Sequence, residues 1–285
     1  MSIKKTHPPD RSLAVQVTVI ALIFLVGGRA ACAKQAPMWE LGAGIGHIRF
    51  PDYRGAESIS DYRVGFPYLV YRGDRLKLDR EGFRGLLFES EHWKSDFSID
   101  GSVPVDSDNG GLRADMPDLD PALEVGPSLV YEFSRSSART VALHLPVRAV
   151  IATDLRKAHL EGWVFHPHLR ANYWGRFNFG VSAGPLFGAS SYHRYYYAVD
   201  PDYATPERPA YRPDGGYSGF RITLSVSRRF GRLYVGSFLR YDDLSGAEFA
   251  DSPLVETERA VMAGVSMAWI FAESDRMVTI AVNER

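Results

Sequence analysis

The stretch RITLSVSRRFGRLYVGSFLRYDD, residues 221–243, contains two alternating segments separated by a Gly-Arg pair. In the first segment apolar residues alternate with small polar residues. Ile222, Leu224 and Val226 are apolar, and Thr223, Ser225 and Ser227 are polar. Successive side chains on a strand point to opposite faces, so each segment predicts a β-strand with one apolar face. Glycine at the first central position of Gly231-Arg232 suits a two-residue type II′ turn. The stretch therefore predicts a β-hairpin.

The connections along the whole chain fall into two length classes. Tiny turns carry a Gly-X pair beside an aromatic residue, at Tyr71-Arg72-Gly73-Asp74, Tyr173-Trp174-Gly175-Arg176 and Phe230-Gly231-Arg232. Long polar loops cover residues 50–60, 106–121, 189–216 and 243–257. Outer-membrane barrels have short periplasmic turns and longer extracellular loops. The pattern predicts an all-β fold, an antiparallel transmembrane β-barrel over residues 34–271, with the Gly-X turns on its periplasmic rim.

Twelve strand-length segments follow from this pattern, at residues 37–49, 61–72, 75–80, 83–91, 95–105, 122–133, 139–152, 159–173, 176–188, 217–229, 232–242 and 258–271. Single-chain bacterial barrels have an even number of strands, and counting from a periplasmic N-terminus places every long loop outside. Within residues 75–91, Arg80-Glu81-Gly82 is either a turn or a bulge. Ten strands is therefore the alternative, and it leaves the orientation unchanged.

The first 33 residues have the features of a Sec signal peptide. Basic residues precede an apolar segment, and Ala31-Cys32-Ala33 supplies the small residues of a cleavage site between Ala33 and Lys34. An uncleaved anchor and a lipidated Cys32 are the alternatives. Cleavage would remove the only cysteine and change the formal net charge from −1 to −4, because the segment carries four basic residues and one acidic residue. A mildly acidic chain does not favour nucleic-acid binding, which requires a basic patch.

Beyond residue 33 no apolar run has the length of a membrane-spanning helix. In lipid every backbone polar group has to be paired, which only helices and closed barrels achieve. A membrane location therefore requires a barrel, and we expect this one in the outer membrane of a Gram-negative cell.

Three short patterns contain residues that could take part in catalysis or in metal or phosphate binding. Ser191 and His193 would share a face of an extended segment as a nucleophile and its base, but no third group is identifiable and a polar loop is the simpler interpretation. His166-Pro167-His168 places two imidazoles together, whereas structural zinc takes four ligands. Residues 42–46 alternate glycine with apolar residues, which predicts glycines facing a crowded interior. We therefore predict no catalytic, cofactor-binding or metal-binding residues.

Two groups of loop residues are expected at the cell surface. Tyrosines in and beside the loop 189–216 favour rim aromatics at the membrane interface or, as the alternative, a surface that binds carbohydrate or protein; these are Tyr192, Tyr195, Tyr196, Tyr197, Tyr203, Tyr211 and Tyr217. Acidic residues concentrate in two other loops, at Asp106, Asp108, Asp115, Asp118, Asp120, Glu248, Asp251 and Glu256. Divalent cations could bridge such carboxylates to lipopolysaccharide, although a solvated acidic loop is the default interpretation. Outer-membrane lipid and lipopolysaccharide are the expected partners.

Six motifs occur in a defined order along the chain. They are Asp52-Tyr53-Arg54-Gly55-Ala56, Phe66-Pro67-Tyr68-Leu69-Val70-Tyr71-Arg72-Gly73-Asp74, Tyr196-Tyr197-Ala198-Val199, Pro209-Ala210-Tyr211, Ser252-Pro253-Leu254-Val255, and Ala263-Gly264-Val265-Ser266 to Phe271. In this order they resemble the MipA/OmpV family, the MltA-interacting proteins, over residues 38–271. The family-motif residues are then Tyr53, Arg54, Gly55, Pro67, Tyr71, Gly73, Tyr196, Tyr197, Tyr211, Ser252 and Pro253.

The resemblance implies an outer-membrane barrel that ties a lytic transglycosylase to a penicillin-binding synthase, and it offers no catalytic residues. The expected function is therefore a non-enzymatic scaffold between a murein hydrolase and a murein synthase. A narrow porin-like channel or an adhesin is the alternative, and a lipid-modifying outer-membrane enzyme is a third. Such barrels usually end on an aromatic residue like Phe271, yet residues 272–285 follow it. We expect this tail to be a periplasmic extension, a plug or an extra strand.

Overall fold

The computed structural model describes residues 34–73, 76–79, 82–85, 88–102, 112–136, 138–154 and 156–280, and the predicted leader lies outside them. The strands are β1 (Lys34–Pro37), β2 (Trp39–Pro51), β3 (Ile59–Arg72), β4 (Leu76–Asp79), β5 (Gly82–Gly85), β6 (Phe88–Glu89), β7 (Trp93–Gly101), β8 (Ala122–Arg135), β9 (Arg139–Thr153), β10 (Ala158–Phe165), β11 (His168–Trp174), β12 (Asn178–Gly188), β13 (Gly216–Phe230), β14 (Leu233–Asp243), β15 (Arg259–Glu273) and β16 (Met277–Ile280). A helix α1 (Ser190–Tyr197) and a 3₁₀ helix (Pro201–Tyr203) lie in the longest loop. Within the described ranges, no helix has the length and apolarity needed to span a membrane.

All strands except β1 and β16 form one antiparallel sheet, in which most strands pair with the next strand in the sequence. The first and last long strands, β2 and β15, pair along most of their length, so the two ends of the chain meet. At the other end of the sheet, β5 lies beside β7. The predicted antiparallel barrel is confirmed. The short strands β4 and β5 occupy the segment in which the ten- and twelve-strand alternatives differ.

Proline divides one of the predicted strands. The segment 159–173 consists of β10 and β11, which are separated at His166-Pro167 and both pair with β9 and β12. Proline has no N–H to donate to a sheet ladder, so the hydrogen bonds are interrupted there. The two strands together form one path along the barrel wall.

The two faces of the strands alternate largely as predicted. Large apolar side chains cover the outside, for example Ile45, Val265 and Trp269, which are 64%, 58% and 56% exposed. Such an outward band is what lipid requires. The inward positions are not only small and polar, because charged side chains such as Arg148 and Arg221 are buried there. Opposite charges pair across the interior, which lets long side chains fill it.

The short turns agree with the prediction in one case. Phe230 pairs with Leu233, and Gly231 has φ +59, so Gly231-Arg232 is the predicted two-residue turn. The prediction for Gly175 is wrong, since Trp174 pairs with Asn178 and the turn has three residues. There glycine is needed for space, because a Cβ would lie 2.9 Å from the Tyr173 ring. The turn after Gly73 includes residues 74 and 75, which lie outside the described ranges.

The two ends of the described chain form a separate ribbon. β1 pairs with β16 in antiparallel register, from Lys34 opposite Ile280 to Pro37 opposite Met277. Backbone hydrogen bonds continue the contact, from Met38 N–H to the Arg276 carbonyl and from Ser274 N–H to the Trp39 carbonyl. Part of the tail is therefore a strand that lies beside the short-turn rim.

Candidate functional site

The barrel interior contains two cavities. The lumen cavity, of about 270 Å³, lies between the strands and is lined mainly by polar side chains such as Ser128 and His144. The upper chamber, of about 310 Å³, lies beneath the long loops and has aromatic and charged walls. Asp100, Arg221 and Arg240 line both cavities. The candidate site is therefore the barrel interior, where a set of charged side chains lies at the junction of the two cavities.

We call six side chains at this junction the charge belt: Asp100, Glu124, Arg148, Arg221, Arg240 and Asp242. Arg221 Nε lies 2.6 Å from Asp242 Oδ1, and an Arg148 nitrogen lies 2.9 Å from Glu124 Oε2. Oδ2 of Asp100 lies 3.6–3.9 Å from guanidinium nitrogens of all three arginines. The members come from β7, β8, β9, β13 and β14, and their charges balance. The belt therefore crosses the barrel between the two cavities.

The four long loops fold over one end of the barrel. We call residues 52–58, 112–121, 189–215 and 244–258 the loop cap. Its apolar core takes residues from every loop: Tyr53, Ala56, Leu119, Tyr192, Tyr196, Tyr197, Leu244, Ala247 and Phe249. The rings of Tyr197 and Phe249 stack with centroids 3.7 Å apart. Since all four of these tyrosines also line the upper chamber, the cap forms its roof.

Hydrogen bonds between distant loops hold the cap together. The Tyr53 hydroxyl donates to the Leu254 carbonyl at 2.8 Å. Nη1 of Arg208 donates to the carbonyls of Leu112 and Ala114 at 2.6 and 2.8 Å. Loops leave many backbone carbonyls without a ladder partner, and burial makes an unpaired carbonyl costly. These side chains satisfy such carbonyls and so fix the loops relative to one another.

Burial raises the pKa of tyrosine hydroxyls in the cap. The pKa of Tyr53 and that of Tyr195 are each raised to about 12, mainly because the charged phenolate would lose its hydration. The pKa of Tyr197 is raised for the same reason. The phenols are therefore neutral donors, and the Tyr197 hydroxyl donates to the Arg54 carbonyl at 2.9 Å.

The interpretation of the loop tyrosines as rim aromatics is wrong for three of them. Tyr192, Tyr196 and Tyr197 are buried in the loop cap, because the loop folds inward over the barrel instead of lying along the membrane surface. Outward-facing aromatic side chains gather instead at the short-turn end, at Trp93, Phe133, Tyr173, Phe177, Phe230 and Trp269. That is a position typical of an aromatic girdle.

Ser191 and His193 do not form the pair considered from the sequence. They lie on α1 and not on an extended segment, so they do not share a face, and the alternative of a nucleophile paired with its base is excluded for them. The buried His193 donates from Nδ1 to the Asp214 carbonyl at 2.6 Å and accepts at Nε2 from Ser218 at 2.5 Å. Burial lowers the pKa of His193, which keeps the ring neutral. Neither His193 nor Ser218 lines either cavity, so the pair holds α1 against β13.

His166 and His168 do lie together, with ring centroids 4.5 Å apart, and His144 stacks on His168 at 5.0 Å. All three line the lumen cavity. The described residues contain no group of three His, Cys, Asp or Glu side chains that could hold a metal ion. Sequence reasoning missed His144 because it joins the others only through strand pairing, as the partner of His168. Two of the predicted loop carboxylates, Asp106 and Asp108, lie outside the described residues.

A second buried charge cluster lies at the short-turn end. Glu40 is completely buried, with Oε1 2.8 Å from Arg72 Nη2 and Oε2 2.9 Å from Arg229 Nη1. Among the described residues around it, exposed arginines outnumber exposed acids, with Arg135, Arg139, Arg176, Arg232 and Arg276 against Glu91, Glu273 and Asp275. The short-turn rim is therefore basic.

Most family-motif residues come together in space. The loop cap contains Tyr53, Arg54, Gly55, Tyr196, Tyr197, Tyr211, Ser252 and Pro253, whereas Pro67, Tyr71 and Gly73 lie on β3 and directly after it. Gly55 has φ +101, which side-chain-bearing residues rarely adopt, and its carbonyl accepts the N–H groups of Glu256 and Thr257. The charge belt was missed, because its members alternate along their strands like any other inward polar residue.

Comparisons with known proteins agree with this architecture. A family profile described as MltA-interacting protein MipA matches residues 43–271. Outer membrane protein OmpV of Vibrio cholerae serotype O1 is 27% identical over 108 residues, which cover 35% of this chain and 40% of that protein. Outer membrane protein Omp26La of Vibrio anguillarum is 28% identical over 92 residues, covering 31% and 34%. The matched segments thus span less than half of either relative. An outer-membrane channel of Pseudomonas putida F1 has a TM-score of 0.44 at 10% identity, over 86% of this chain and 100% of that one.

Proposed function

This chain belongs to the MltA-interacting protein MipA family, and on that premise we propose that it is a non-enzymatic scaffold for murein enzymes. It is a β-barrel of the outer membrane. The observation that carries the proposal is that the interior is crossed and covered: the charge belt crosses the barrel, and the loop cap covers one end. A barrel obstructed in this way acts through its rims and not through an open lumen.

The short-turn rim is the surface that would face murein. Short turns of outer-membrane barrels lie on the periplasmic side, where the cell wall is. In this chain that rim carries exposed arginines, including Arg176 and Arg232, and lies next to the β1–β16 ribbon. Arginine is enriched in protein interfaces, because its planar guanidinium binds carboxylates through two hydrogen bonds. The proposed partners are therefore a murein hydrolase of the MltA type and, through it, a murein synthase.

A pull-down from detergent-solubilised outer membranes tests this role. The tagged chain should recover MltA and a penicillin-binding synthase. The charge reversal of Arg176 and Arg232 together to Glu should abolish recovery, because two cations of the rim become anions. The reversal of Arg212 to Glu is the matched control, since Arg212 is exposed on the loop cap. If MltA is not recovered with the wild-type chain, the scaffold role is wrong; if the rim variant still recovers it, the rim is not the docking surface.

A proposal of catalysis finds little support in the described residues. The Ser218–His193 pair has the hydrogen bond that a nucleophile and its base need, but both side chains are fully buried and line neither cavity. The non-enzymatic role is proposed on that ground. Unchanged membrane lipids in a Ser218→Ala strain are the expected result, and an altered lipid profile would contradict it.

A narrow channel is the second candidate, favoured by one specific observation. The lumen cavity and the upper chamber meet at the charge belt, so cavity space lies on both sides of it. Opening would require the Asp100 contacts and the loop cap to separate. Planar-bilayer recordings distinguish the two candidates: the scaffold proposal expects no conductance steps from the wild-type chain, and regular steps would favour the channel.

A further inference from the structure

The upper chamber has the dimensions and walls of a ligand pocket. Its volume of about 310 Å³ is at the lower end of the roughly 300–1,000 Å³ that small-molecule sites occupy. Its roof is aromatic, because Tyr192, Tyr196 and Tyr197 descend from the loop cap, and Phe50 adds a further ring. Pockets of this kind hold the apolar part of a ligand by contact and orient it through a few polar groups.

Two cations of this chamber have hydrogen-bond donors to spare. Nη2 of Arg54 and Nε of Arg240 are buried, and neither has a hydrogen-bond partner among the described residues. Arg54 donates from Nη1 to the Ser218 carbonyl and lies 5.7 Å from the centre of the Phe249 ring. A buried donor without an acceptor is costly, and more so on a charged group.

Each carboxylate of the chamber already accepts from at least one donor. Both oxygens of Asp242 accept from Arg221, and Glu124 accepts from Arg148. Asp100 accepts the Gly101 N–H at Oδ1 and turns Oδ2 to the three belt arginines. Asp52, which also lines the chamber, accepts from the hydroxyls of Ser58 and Ser60. The two unpaired arginine donors therefore still lack an acceptor, and an anion supplies the strongest ones.

We propose that the upper chamber binds a small monocyclic carboxylate, with the carboxylate between Arg54 and Arg240 and the ring against the tyrosines of the cap. The unpaired donors of the two arginines favour an anionic ligand, and the aromatic roof favours a ligand that contains a ring. The volume limits the ligand to a single ring with small substituents. Because α1 and Arg54 belong to the cap, binding would also hold the cap closed. This site is independent of the proposed docking rim at the other end of the barrel.

Equilibrium dialysis of the full-length chain in detergent tests the proposal, with benzoate as the probe. Dialysis runs overnight, so that the probe can enter even if the loop cap opens slowly. Benzamide has the same shape without the charge, and inorganic phosphate has the charge without the ring. We expect benzoate to bind at least about tenfold more tightly than either, since a charge-assisted hydrogen bond is worth roughly that factor. Equal binding of benzamide or of phosphate, or no benzoate binding tighter than about 1 mM, would overturn the proposal.

Two variants locate the site. Arg54→Gln and Arg240→Gln should each weaken benzoate binding about tenfold or more, because each removes a charged donor. Arg212→Gln, exposed on the cap, is the matched control and should bind like the wild type. Heat-dependent electrophoretic mobility reports whether each variant still forms a barrel. If the loop cap of Arg54→Gln does not fold, Arg240→Gln on β14 still tests whether the chamber is the binding site. Unchanged benzoate binding by a folded Arg240→Gln would place the ligand elsewhere.

Discussion

Gly42 lies at the seam where strands from the two ends of the chain close the barrel. A Cβ at this position would lie 2.4 Å from the Trp269 carbonyl oxygen on β15, closer than real Cβ atoms approach backbone. Gly42→Ala should therefore destabilise the barrel by about 1–3 kcal/mol, the usual cost of overpacking. The change is measured as a free energy of unfolding, by urea titration in detergent.

Gly65→Ala is the matched control on the adjacent strand. At Gly65 the nearest atom to an added Cβ is 4.0 Å away, so alanine fits without strain. We expect its free energy of unfolding to change by less than about 0.5 kcal/mol. Equal effects of the two substitutions would show that β2 and β15 do not approach as closely as described.

His193 makes the loop cap sensitive to acid. Burial lowers the pKa of this histidine in the folded protein, whereas in the unfolded chain it is about 6.5. The folded cap thus binds fewer protons, so its stability is complete above about pH 6.5 and falls as the pH drops below that value. Proteolysis of the cap should accelerate between neutral and mildly acidic pH. His193→Gln should lower stability at neutral pH but remove most of this acceleration; an unaltered pH profile would contradict the assignment.

At the scale of elements, the alternation of neighbouring residues predicted the individual strands, because strand formation depends mainly on neighbouring residues. β9 was expected at 139–152 and occupies Arg139–Thr153, because period-two alternation is a property of neighbouring residues. The helix α1 was not predicted, since its segment is mostly aromatic and no side chain caps its N-terminus. The helix α1 is surrounded by residues of the other loops, which are held together by long-range contacts. The hydrogen bond between Tyr53 and Leu254 in the loop cap, for example, joins residues 201 positions apart. No pattern within one loop contains that information.

The tail strand offers a prediction at the same scale. β16 pairs only with β1 among the described strands, and the barrel seam is formed by β15 and β2. A chain that ends at Glu273 should therefore still form a heat-modifiable barrel. It should recover less MltA in the pull-down, because the ribbon beside the docking rim is lost. Failure to form a barrel would mean that the tail is part of the closure, and undiminished MltA recovery would remove the ribbon from the docking surface.

At the scale of the whole molecule, the two ends of the barrel have different chemistry. One end is covered by the loop cap with its aromatic core, and the other is a basic rim of short turns beside a two-stranded ribbon. The charge belt lies between them, where three arginines converge on Asp100. We therefore assign docking to the rim and ligand binding to the chamber under the cap.

Site-specific photo-cross-linking in living cells tests the docking assignment most directly. A photoreactive residue is placed at Arg232 on the short-turn rim and, in a second strain, at Arg212 on the loop cap. We expect an adduct with MltA from position 232 and none from position 212. An adduct from position 212 alone, or none from either position, would contradict it.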